Sequence, residues 1–494
     1  MEEKLNDQEI VRREKLEKLK NLGVDPYGER FERSDLIQDL RKKAEGKTPE
    51  ELEANPIYTT IAGRLMAVRN MGKASFINIK DKTGNIQCFM GLNVVGEEAY
   101  NIFKLADIGD IVGVYGRIMF TRTGELTIRV EKYQHLVKSL KVLPEKYHGL
   151  TDVEERYRHR YVDLIVNDEA MRVAFARPKI IRAMQRYFDY EGFVEVETSV
   201  LSPILGGANA RPFITHHNTL DKDFYLRIAT ELPLKRLLVG GMEKVYEIGR
   251  LFRNEGMDTT HNPEFTTVEL YEAYADLSDM KRLCENVFRT CALETLGKTE
   301  VEYDGKIIDL GKPFKDVSMA ELIKEETGVD FTEQITFEEA VELAKKHGVQ
   351  LDKLVTSTGQ IMNLFFETFC EDKLIQPTFV HTYPIEVSPL TKMTKDPRFV
   401  DRFELFINGH EMANAYSELN DPIDQKARFL EQLKAKERGD DEANEVDYDY
   451  LEALEYGMPP AGGIGIGIDR MVMLLTGQTS IREVILFPTM KDRK

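Results

Sequence analysis

Residues 247–276 carry an arginine and a carboxylate in a pattern that could bind an anionic ligand. The ends of this segment predict two antiparallel strands with a glycine-rich polar loop between them, and Arg253 and Glu255 lie two positions apart. Because side chains alternate along a strand, we expect both on one face. A guanidinium binds a phosphate or carboxylate in a bidentate way, and a carboxylate accepts hydrogen bonds from an amine. A simple cross-strand ion pair is the alternative for these two residues taken in isolation.

Two further glutamates, Glu404 and Glu411, belong to a second hairpin-like unit with the sequence RFELFINGHEMANAYSELND. Ligand sets made of carboxylate oxygens suit Mg²⁺ that bridges a polyphosphate, and they do not suit zinc. In a chain this acidic, a pair of solvated surface carboxylates is the alternative.

Alternating glycine and isoleucine mark a third segment, PPAGGIGIGIDRMVMLL at residues 459–475. Glycine allows the backbone to approach a ligand closely, and Asp469 and Arg470 then open an apolar helix. The segment matches neither a P-loop nor a Rossmann fingerprint, since it lacks a GK[ST] sequence and a βαβ unit. A glycine-rich strand packed beneath a helix is the alternative.

Short strands fill residues 57–140, where apolar and polar residues alternate between turn residues. Five such strands with one helical interruption (GEEAYNIFKLA) predict a small closed barrel of the oligonucleotide-binding type, or a β-barrel without that ligand. A charged amphipathic helix is predicted before it at residues 3–22, either solvated or in contact with RNA through a basic face. After a polar connector at 141–157, the pattern predicts a long helix followed by the strand FVEVETSVL.

Charge is unevenly distributed over the 494 residues, which carry a net charge of −18. Residues 1–150 have 25 basic and 23 acidic side chains, so the acidic excess belongs to the remainder. An acidic surface disfavours nucleic acid as a partner, but this argument is weak for the first 150 residues. No apolar stretch is long enough to span a membrane, and the acidic N-terminus is unlike a signal peptide, so we expect a cytoplasmic protein.

The four cysteines lie too far apart to form a C-x-x-C pair. Neither a disulfide framework nor a cysteine zinc site is therefore predicted. We expect buried thiols of a reducing compartment.

Taken together and in this order, the three segments resemble the motifs of class II aminoacyl-tRNA synthetases, and most closely those of the bacterial lysyl-specific type. The similarity extends from the N-terminal helix to the terminal LFPTMK. Residues 252–255 are similar to the second motif of the class, the run that ends at Arg470 to the third, and residues 171–201 to the first, which builds the family's dimer interface. Ser199 stands where that first motif usually has proline.

The resemblance implies a multidomain α+β fold, in which an N-terminal OB-type barrel precedes an antiparallel sheet flanked by helices. It implies a helical extension over 1–56, an anticodon-binding barrel over 57–145, a linker over 146–170 and a catalytic domain over 171–494. A helical insertion is expected at about 275–375.

The resemblance also implies roles for residues of the catalytic domain. Arg253 and Arg470 would be the catalytic residues, which hold the α- and γ-phosphates of ATP. Mg²⁺ would be held by Glu404 and Glu411. Further contacts with ATP are implied for a set of loop and strand residues: Glu255, His261, Asn262, Phe265 and Glu404.

Lysine is a long cation, so its pocket should end in acceptor groups. The positions that the resemblance assigns to this pocket are Gly207, Glu231, Arg253, Glu269, Tyr271, Asn414, Tyr416 and Glu418. In the barrel, the positions that match anticodon-reading residues are Arg69, Phe76, Gln87 and Glu125. Unpaired bases are read by stacking on an aromatic ring and by hydrogen bonds to their edges. Phe76 could equally point into the barrel core.

The expected activity is that of a lysine–tRNA ligase, an enzyme that makes lysyl-adenylate from L-lysine and ATP with Mg²⁺ and then loads tRNA(Lys). The expected assembly is a homodimer. Two alternatives are a paralogue that lysylates a protein, and a non-catalytic RNA-binding relative. The first generally lacks the barrel that residues 57–140 predict, and the second would have lost the arginines and glutamates that are present here.

Overall fold

A computed structural model describes residues 5–144, 150, 152–208, 210–437 and 445–493. The chain divides into two compact units, residues 1–151 and 152–494. Within the described residues, no helix is both long enough and apolar enough to cross a bilayer. All four cysteines are buried and free, as the sequence predicts.

The first unit contains the predicted closed barrel, with the strand order β1-β2-β3-β5-β4. The strands are β1 Tyr58–Asn70, β2 Ala74–Asp81, β3 Gly84–Gly91, β4 Ile111–Phe120 and β5 Leu126–Val137. Every second residue of a strand faces the core, for example Ile77 and Ile79 on β2. Gly63 and Gly116 lie where strands bend, and a Cβ at either would overlap a carbonyl oxygen of the neighbouring strand.

Helices of the first unit pack around this barrel. They are α1 Asp7–Asn21, α2 Ile37–Ala44, α3 Pro49–Ala54, α4 Leu92–Val95 and α5 Glu97–Lys104. A capping box between Asn6 and Glu9 begins α1. Arg12 of α1 is buried and donates to the carbonyls of Ile108 (2.8 Å) and Ser139 (3.1 Å). The predicted N-terminal helix is therefore anchored through a buried arginine to the end of the barrel.

The second unit is built on a mixed sheet whose described strands run in the order β14-β15-β16-β17-β18-β11-β10-β6. Two smaller sheets, β7-β9-β8 and β12-β13, accompany it. The strands of this unit are β6 Val194–Glu195, β7 Leu201–Ser202, β8 Ile214–His217, β9 Lys222–Leu226, β10 Lys244–Phe252, β11 Glu264–Ala273, β12 Glu300–Tyr303, β13 Lys306–Asp309, β14 Lys315–Ser318, β15 Thr378–Pro384, β16 Phe399–Ile407, β17 His410–Ser417 and β18 Ala461–Gly467.

Helices cover this sheet and extend from it. They are α6 Val153–Arg158, α7 Arg160–Val166, α8 Asp168–Glu191, α9 Glu231–Val239, α10 Leu277–Leu296, α11 Met319–Thr327, α12 Phe337–His347, α13 Thr358–Phe369, α14 Pro422–Glu437, α15 Tyr448–Glu455, α16 Ile468–Thr476 and α17 Ile481–Val484. Short 3₁₀ helices span Glu371–Lys373 and Ile385–Val387. α8, α10 and α16 share one apolar core with the central strands.

Three segments differ from the sequence-based expectation. The predicted connector and linker contain helices α6 and α7, which begin the second unit. The predicted strand FVEVETSVL is two short strands, β6 and β7, because the backbone N–H and the hydroxyl of Thr198 both bond to Glu247 Oε2 between them. In the insertion, α10 packs on the main core, whereas α11–α13 enclose a core of their own with β14 and β15.

A cluster of hydrogen-bonded polar groups, Arg177, Thr266 and Asp469, connects α8 to the start of α16. Arg177 Nη1 lies 2.5 Å from Asp469 Oδ1, and Asp469 Oδ2 accepts from the backbone N–H of Thr266 at 2.7 Å. Arg177 Nη2 also donates to the Thr266 hydroxyl at 2.9 Å. These bonds join the long helix, β11 and the helix that carries Arg470.

We expect Arg177→Met to lower the free energy of unfolding by about 3–5 kcal/mol, because it leaves the carboxylate of Asp469 buried without its cation. Equilibrium denaturation in urea would measure this loss. Arg186→Met is the matched control on the same helix: Arg186 is 58% exposed, its surface pair with Glu294 should contribute about 0–1 kcal/mol, and equal losses in the two variants would contradict the prediction.

Candidate active site

A cavity of about 500 Å³ opens on one face of the second unit's sheet. It lies over β11, β17 and β18 and reaches the start of α9 and α16. Most of the predicted site residues line it together: Gly207, Glu231, Arg253, Glu255, His261, Asn262, Phe265, Glu269, Tyr271, Glu404, Glu411, Asn414, Tyr416 and Arg470. Folding thus brings together residues from segments that are far apart in the sequence.

Strand β18 forms the floor of this cavity. Its isoleucines Ile464 and Ile466 are buried in the core, so the alternating glycines face the cavity. On either side, Glu269 and Asn414 pair with Gly465, and Tyr271 and Tyr416 pair with Gly463. The absence of side chains on this face leaves room between two rows of polar groups, as the predicted close backbone approach requires.

Carboxylates gather at one end of the cavity. Glu269 Oε1 accepts from the backbone N–H of Thr230 at 3.1 Å, and its Oε2 accepts from the Tyr271 hydroxyl at 3.3 Å. Burial raises the pKa of Glu269 to about 7, and the negative charge of Glu231 adds to the rise. This end of the cavity therefore favours a ligand that brings positive charge.

Glu418 lies beside Gly463 at the buried end of the cavity and is 1% exposed. A Cβ at Gly463 would overlap its Oε1 and the ring of Tyr271, so all three residues meet at one point. Glu418 forms an ion pair with Lys235, a fully buried lysine of α9. Neither Glu418 oxygen has a partner with hydrogen-bond geometry in the part of the chain that the structure describes. Burial raises the pKa of this carboxyl, and Lys235 opposes the rise.

Arg253 lies in the loop after β10, not on a strand, because the β10–β11 ladder ends at the pair of Phe252 with Glu264. Strand alternation therefore does not set the positions of Arg253 and Glu255, and the prediction that it does is wrong. The guanidinium of Arg253 lies over the Phe265 ring, 5.2 Å from its centroid. Its Nε is buried and has no hydrogen-bond partner among the described residues. An anionic ligand would satisfy this donor.

Loop residues near Arg253 are held by local bonds. His261 Nδ1 lies 2.9 Å from Asp258 Oδ2, and the side-chain amide of Asn262 donates to the carbonyl of Glu264 at 2.6 Å. Glu255 is exposed at the rim. These residues form an open polar edge beside the Phe265 ring.

Glu404 and Glu411 lie on β16 and β17, as the predicted hairpin requires. Glu404 accepts from Arg402 and, at 2.9 Å, from the Tyr383 hydroxyl. Burial raises the pKa of Glu404 to about 7 even though Arg402 opposes the rise. Arg470 donates to the backbone carbonyl of Glu411, and its Nη1 lies 3.6 Å from Glu411 Oε2. Among the described residues there is no cluster of three or more histidine, cysteine or carboxylate side chains that could hold a metal ion by themselves.

The sequence did not predict two residues of the site: Arg402, which lines the cavity, and Lys235, which lies outside the lining and pairs with Glu231. Arg402 donates to Asn414 Oδ1 at 3.0 Å and stacks 4.5 Å from the Tyr383 centroid, while Asn414 in turn donates to the Tyr416 hydroxyl at 3.1 Å. Lys235 follows Glu231 by one helical turn on α9. A basic residue in an apolar sequence such as ELPLKRL was the available signal for Lys235.

On the barrel, Phe76 is half-buried on the outer face of β2 and does not belong to the core. Its ring packs against Phe89, with 5.2 Å between centroids. Gln87 is on the same face of β3 and donates to the Thr127 hydroxyl at 2.8 Å. Arg69 pairs with Phe76 across β1 and β2, and Glu125 is exposed just before β5. Arg69, Phe76 and Gln87 thus share one side of the barrel, and Phe89 joins them.

Fold and site together define a class of protein: a class II synthetase domain with a nucleic-acid-binding barrel. Residues 59–136 match the family of OB-fold nucleic acid binding domains. Residues 152–491 match the family of class II tRNA synthetases (D, K and N), and the chain belongs to that family.

The chain is also similar over almost its whole length to individual proteins. The lysine–tRNA ligase of Lactococcus lactis subsp. cremoris (strain MG1363) is 59% identical over 490 residues, which cover 99% of each chain. The lysine–tRNA ligase of Enterococcus faecalis (strain ATCC 700802 / V583) is 56% identical and covers 99% of this chain and 98% of its own. That of Streptococcus suis (strain 05ZYH33) is 57% identical over 99% of both chains.

We expect Gly463→Ala to lower the free energy of unfolding by about 1–3 kcal/mol, because the added methyl group must displace the Glu418 carboxylate or the Tyr271 ring. Thermal and urea unfolding would measure the loss. Gly465→Ala is the matched control on the same strand, since its Cβ would lie no closer than 3.7 Å to another atom. A loss in Gly465→Ala as large as that in Gly463→Ala would contradict this account.

Proposed function

We propose that the protein is an ATP-dependent lysine–tRNA ligase. The observation that carries the proposal is the closed end of the cavity, where the carboxylates of Glu231, Glu269 and Glu418 and the Tyr271 hydroxyl converge. Such an end suits an ammonium group on a long side chain, and a pocket for aspartate would need a cation there instead. The relatives that carry the name lysine–tRNA ligase support the same substrate.

In the proposed first step, the carboxylate of lysine attacks the α-phosphorus of ATP and pyrophosphate leaves. This reaction needs positioning and charge neutralisation more than a protein nucleophile. The buried Nε of Arg253, which has no hydrogen-bond partner among the described residues, is suited to hold the lysine carboxylate and the α-phosphate together. Phe265 offers a ring on which adenine can stack, beside polar groups from Glu255, His261 and Asn262. Arg470, at the other side of the cavity, would hold the γ-phosphate.

The carboxylates of Glu404 and Glu411 fit Mg²⁺, because they supply hard oxygen donors from adjacent strands to the cavity. Two protein carboxylates suffice for this ion when polyphosphate and water complete its ligands. When bound, Mg²⁺ neutralises negative charge on the polyphosphate. Arg402 and Tyr383 hold the Glu404 side chain in place by hydrogen bonds to its two oxygens.

In the proposed second step, a hydroxyl of the tRNA 3′-terminal ribose attacks the carbonyl carbon of the adenylate, and AMP leaves. The barrel would read the anticodon of tRNA(Lys) with the face that holds Arg69, Phe76, Gln87 and Glu125. We propose a cytoplasmic homodimer formed along α8 and β6. β6 is the edge of the described sheet, and the nearby apolar side chains Tyr190 and Val194 are 86% and 51% exposed.

We expect purified protein with ATP and Mg²⁺ to catalyse ATP–pyrophosphate exchange with L-lysine and with none of the other nineteen standard amino acids, because the acidic end of the cavity selects a second ammonium group. Exchange with another amino acid would contradict the proposed pocket. No exchange from folded protein would contradict the ligase and favour a non-catalytic RNA-binding protein. Lysine transfer to a protein instead of tRNA would indicate the paralogous activity.

We expect Phe76→Ala to raise the KM for tRNA(Lys) in aminoacylation about tenfold or more, because stacking of a base on an aromatic ring contributes about 1–3 kcal/mol. Lysine-dependent exchange without tRNA should change less than twofold. Tyr58→Ala is the control, since Tyr58 is an exposed aromatic residue of β1 that stacks on Tyr115, away from Phe76. An unchanged KM for tRNA in Phe76→Ala would contradict the role of this face.

A further inference from the structure

Lys235 is a fully buried lysine at the closed end of the cavity. Its Nζ lies 2.5 Å from Glu231 Oε1 and forms an ion pair with Glu418. The same ammonium lies 5.9 Å from the centroid of the Tyr271 ring. One side chain of α9 therefore joins the cavity-lining carboxylate of Glu231 to the buried carboxylate of Glu418 beside Gly463.

Burial alone would lower the pKa of Lys235, but the charges of Glu231 and Glu418 raise it well above its usual value. The side chain is therefore a permanent cation. The ion pairs do not by themselves explain why a lysine stands here, because a whole buried ion pair can often be replaced by apolar residues of similar volume at little cost. The placement of Lys235 between two carboxylates of a ligand cavity calls for a functional reason.

Charge balance provides that reason. Counted as fully ionised, Glu231, Glu269 and Glu418 carry three negative charges, and Lys235 cancels one of them. Two remain. Lysine brings two ammonium groups, while its carboxylate is matched by Arg253. With Lys235 in place, the acidic end of the cavity has the charge that this substrate neutralises.

We propose that Lys235 is a positioning and specificity-determining residue of the lysine pocket, which holds the carboxylates of Glu418 and Glu231 in place for a substrate with two ammonium groups. The inference rests on the proposed function. Lys235 touches the two carboxylates and lies outside the cavity lining, so it acts through them.

Removal of this cation has a predictable electrostatic effect. The charged and titratable groups around the Lys235–Glu418 pair are Glu231, Glu269, Tyr271, Tyr416 and Tyr450. None of these is basic, so without Lys235 the carboxylates repel one another and bind a proton more readily. A protonated carboxyl accepts an ammonium poorly, and lysine binding should then require a higher pH.

The test is ATP–pyrophosphate exchange by the full chain with Lys235→Met, which keeps the length of the side chain and removes its charge. We expect the KM for lysine to rise about 30-fold or more at pH 7, with the KM for ATP changed less than threefold. The midpoint of the dependence of the lysine KM on pH should move upward by about one pH unit or more. A merely structural role would leave this midpoint unchanged.

Two further variants separate charge from packing. Arg236→Met is the matched control, because Arg236 is the next residue of α9 and pairs with Asp447 (2.9 Å) and Asp449 (2.8 Å) outside the cavity. It should change the KM for lysine less than twofold. Lys235→Gln keeps hydrogen-bond donors without a charge and provides a second test if the methionine variant does not fold. It should show the same upward shift of the pH midpoint.

A double-mutant cycle with Glu418→Gln tests whether Lys235 affects the KM for lysine through Glu418. Glu418→Gln alone should raise the KM for lysine strongly and leave the KM for ATP nearly unchanged. If Lys235 acts through Glu418, Lys235→Met should add less than about threefold in that background. Equal effects in both backgrounds would overturn the proposed action on Glu418.

The outcomes distinguish this inference from the proposed function. Wild-type protein that exchanges with lysine, together with folded Lys235 variants whose lysine KM and pH midpoint are unchanged, would overturn the role of Lys235 alone. Parallel losses for ATP and lysine without a pH shift would do the same. Wild-type protein that fails to exchange with lysine would overturn the proposed function first.

Discussion

The cavity exists because strand β18 carries no side chains on one of its faces. The same strand presents Ile464 and Ile466 to the core beneath. Its alternation of glycine and isoleucine therefore forms the cavity floor with one face and packs in the core with the other. A methyl group at Gly463 would overlap both Glu418 and Tyr271. The polar side chains of β11 and β17 therefore face each other across the glycines of β18. The space for a ligand depends on the absence of side chains at these glycines.

The two ends of the cavity differ in charge: one is lined by carboxylates and the other by arginines. The carboxylates at one end are buried, and burial raises the pKa of Glu269 to about 7. Arg253 and Arg470 supply positive charge toward the other end. In a medium of low polarity such groups discriminate strongly between ligands, because an unmatched charge is costly there. Lys235 lies outside the cavity lining and offsets part of the negative charge at the acidic end through its pairs with Glu231 and Glu418.

Supporting contacts extend from the cavity into the scaffold. Asp469 accepts a hydrogen bond from the backbone N–H of Thr266 on β11 and pairs with Arg177 of α8, and the next residue along the chain is Arg470. Arg402 bonds to both Glu404 and Asn414, and thereby fixes polar groups on two adjacent strands. The long helix and the central strands thus set the positions of cavity groups that come from separate segments.

The sequence by itself determined the barrel strands, the hairpin that carries Glu404 and Glu411, and most but not all of the polar groups that line the cavity, because these features follow from local periodicity and from motifs of a known family. Only the tertiary structure decided where Arg253 leaves its strand, that Phe76 faces outward, and that Lys235 meets Glu418. The physical reason is that strand alternation ends where hydrogen-bonded pairing ends, and that an ion pair between distant segments is created by packing, which no local pattern records.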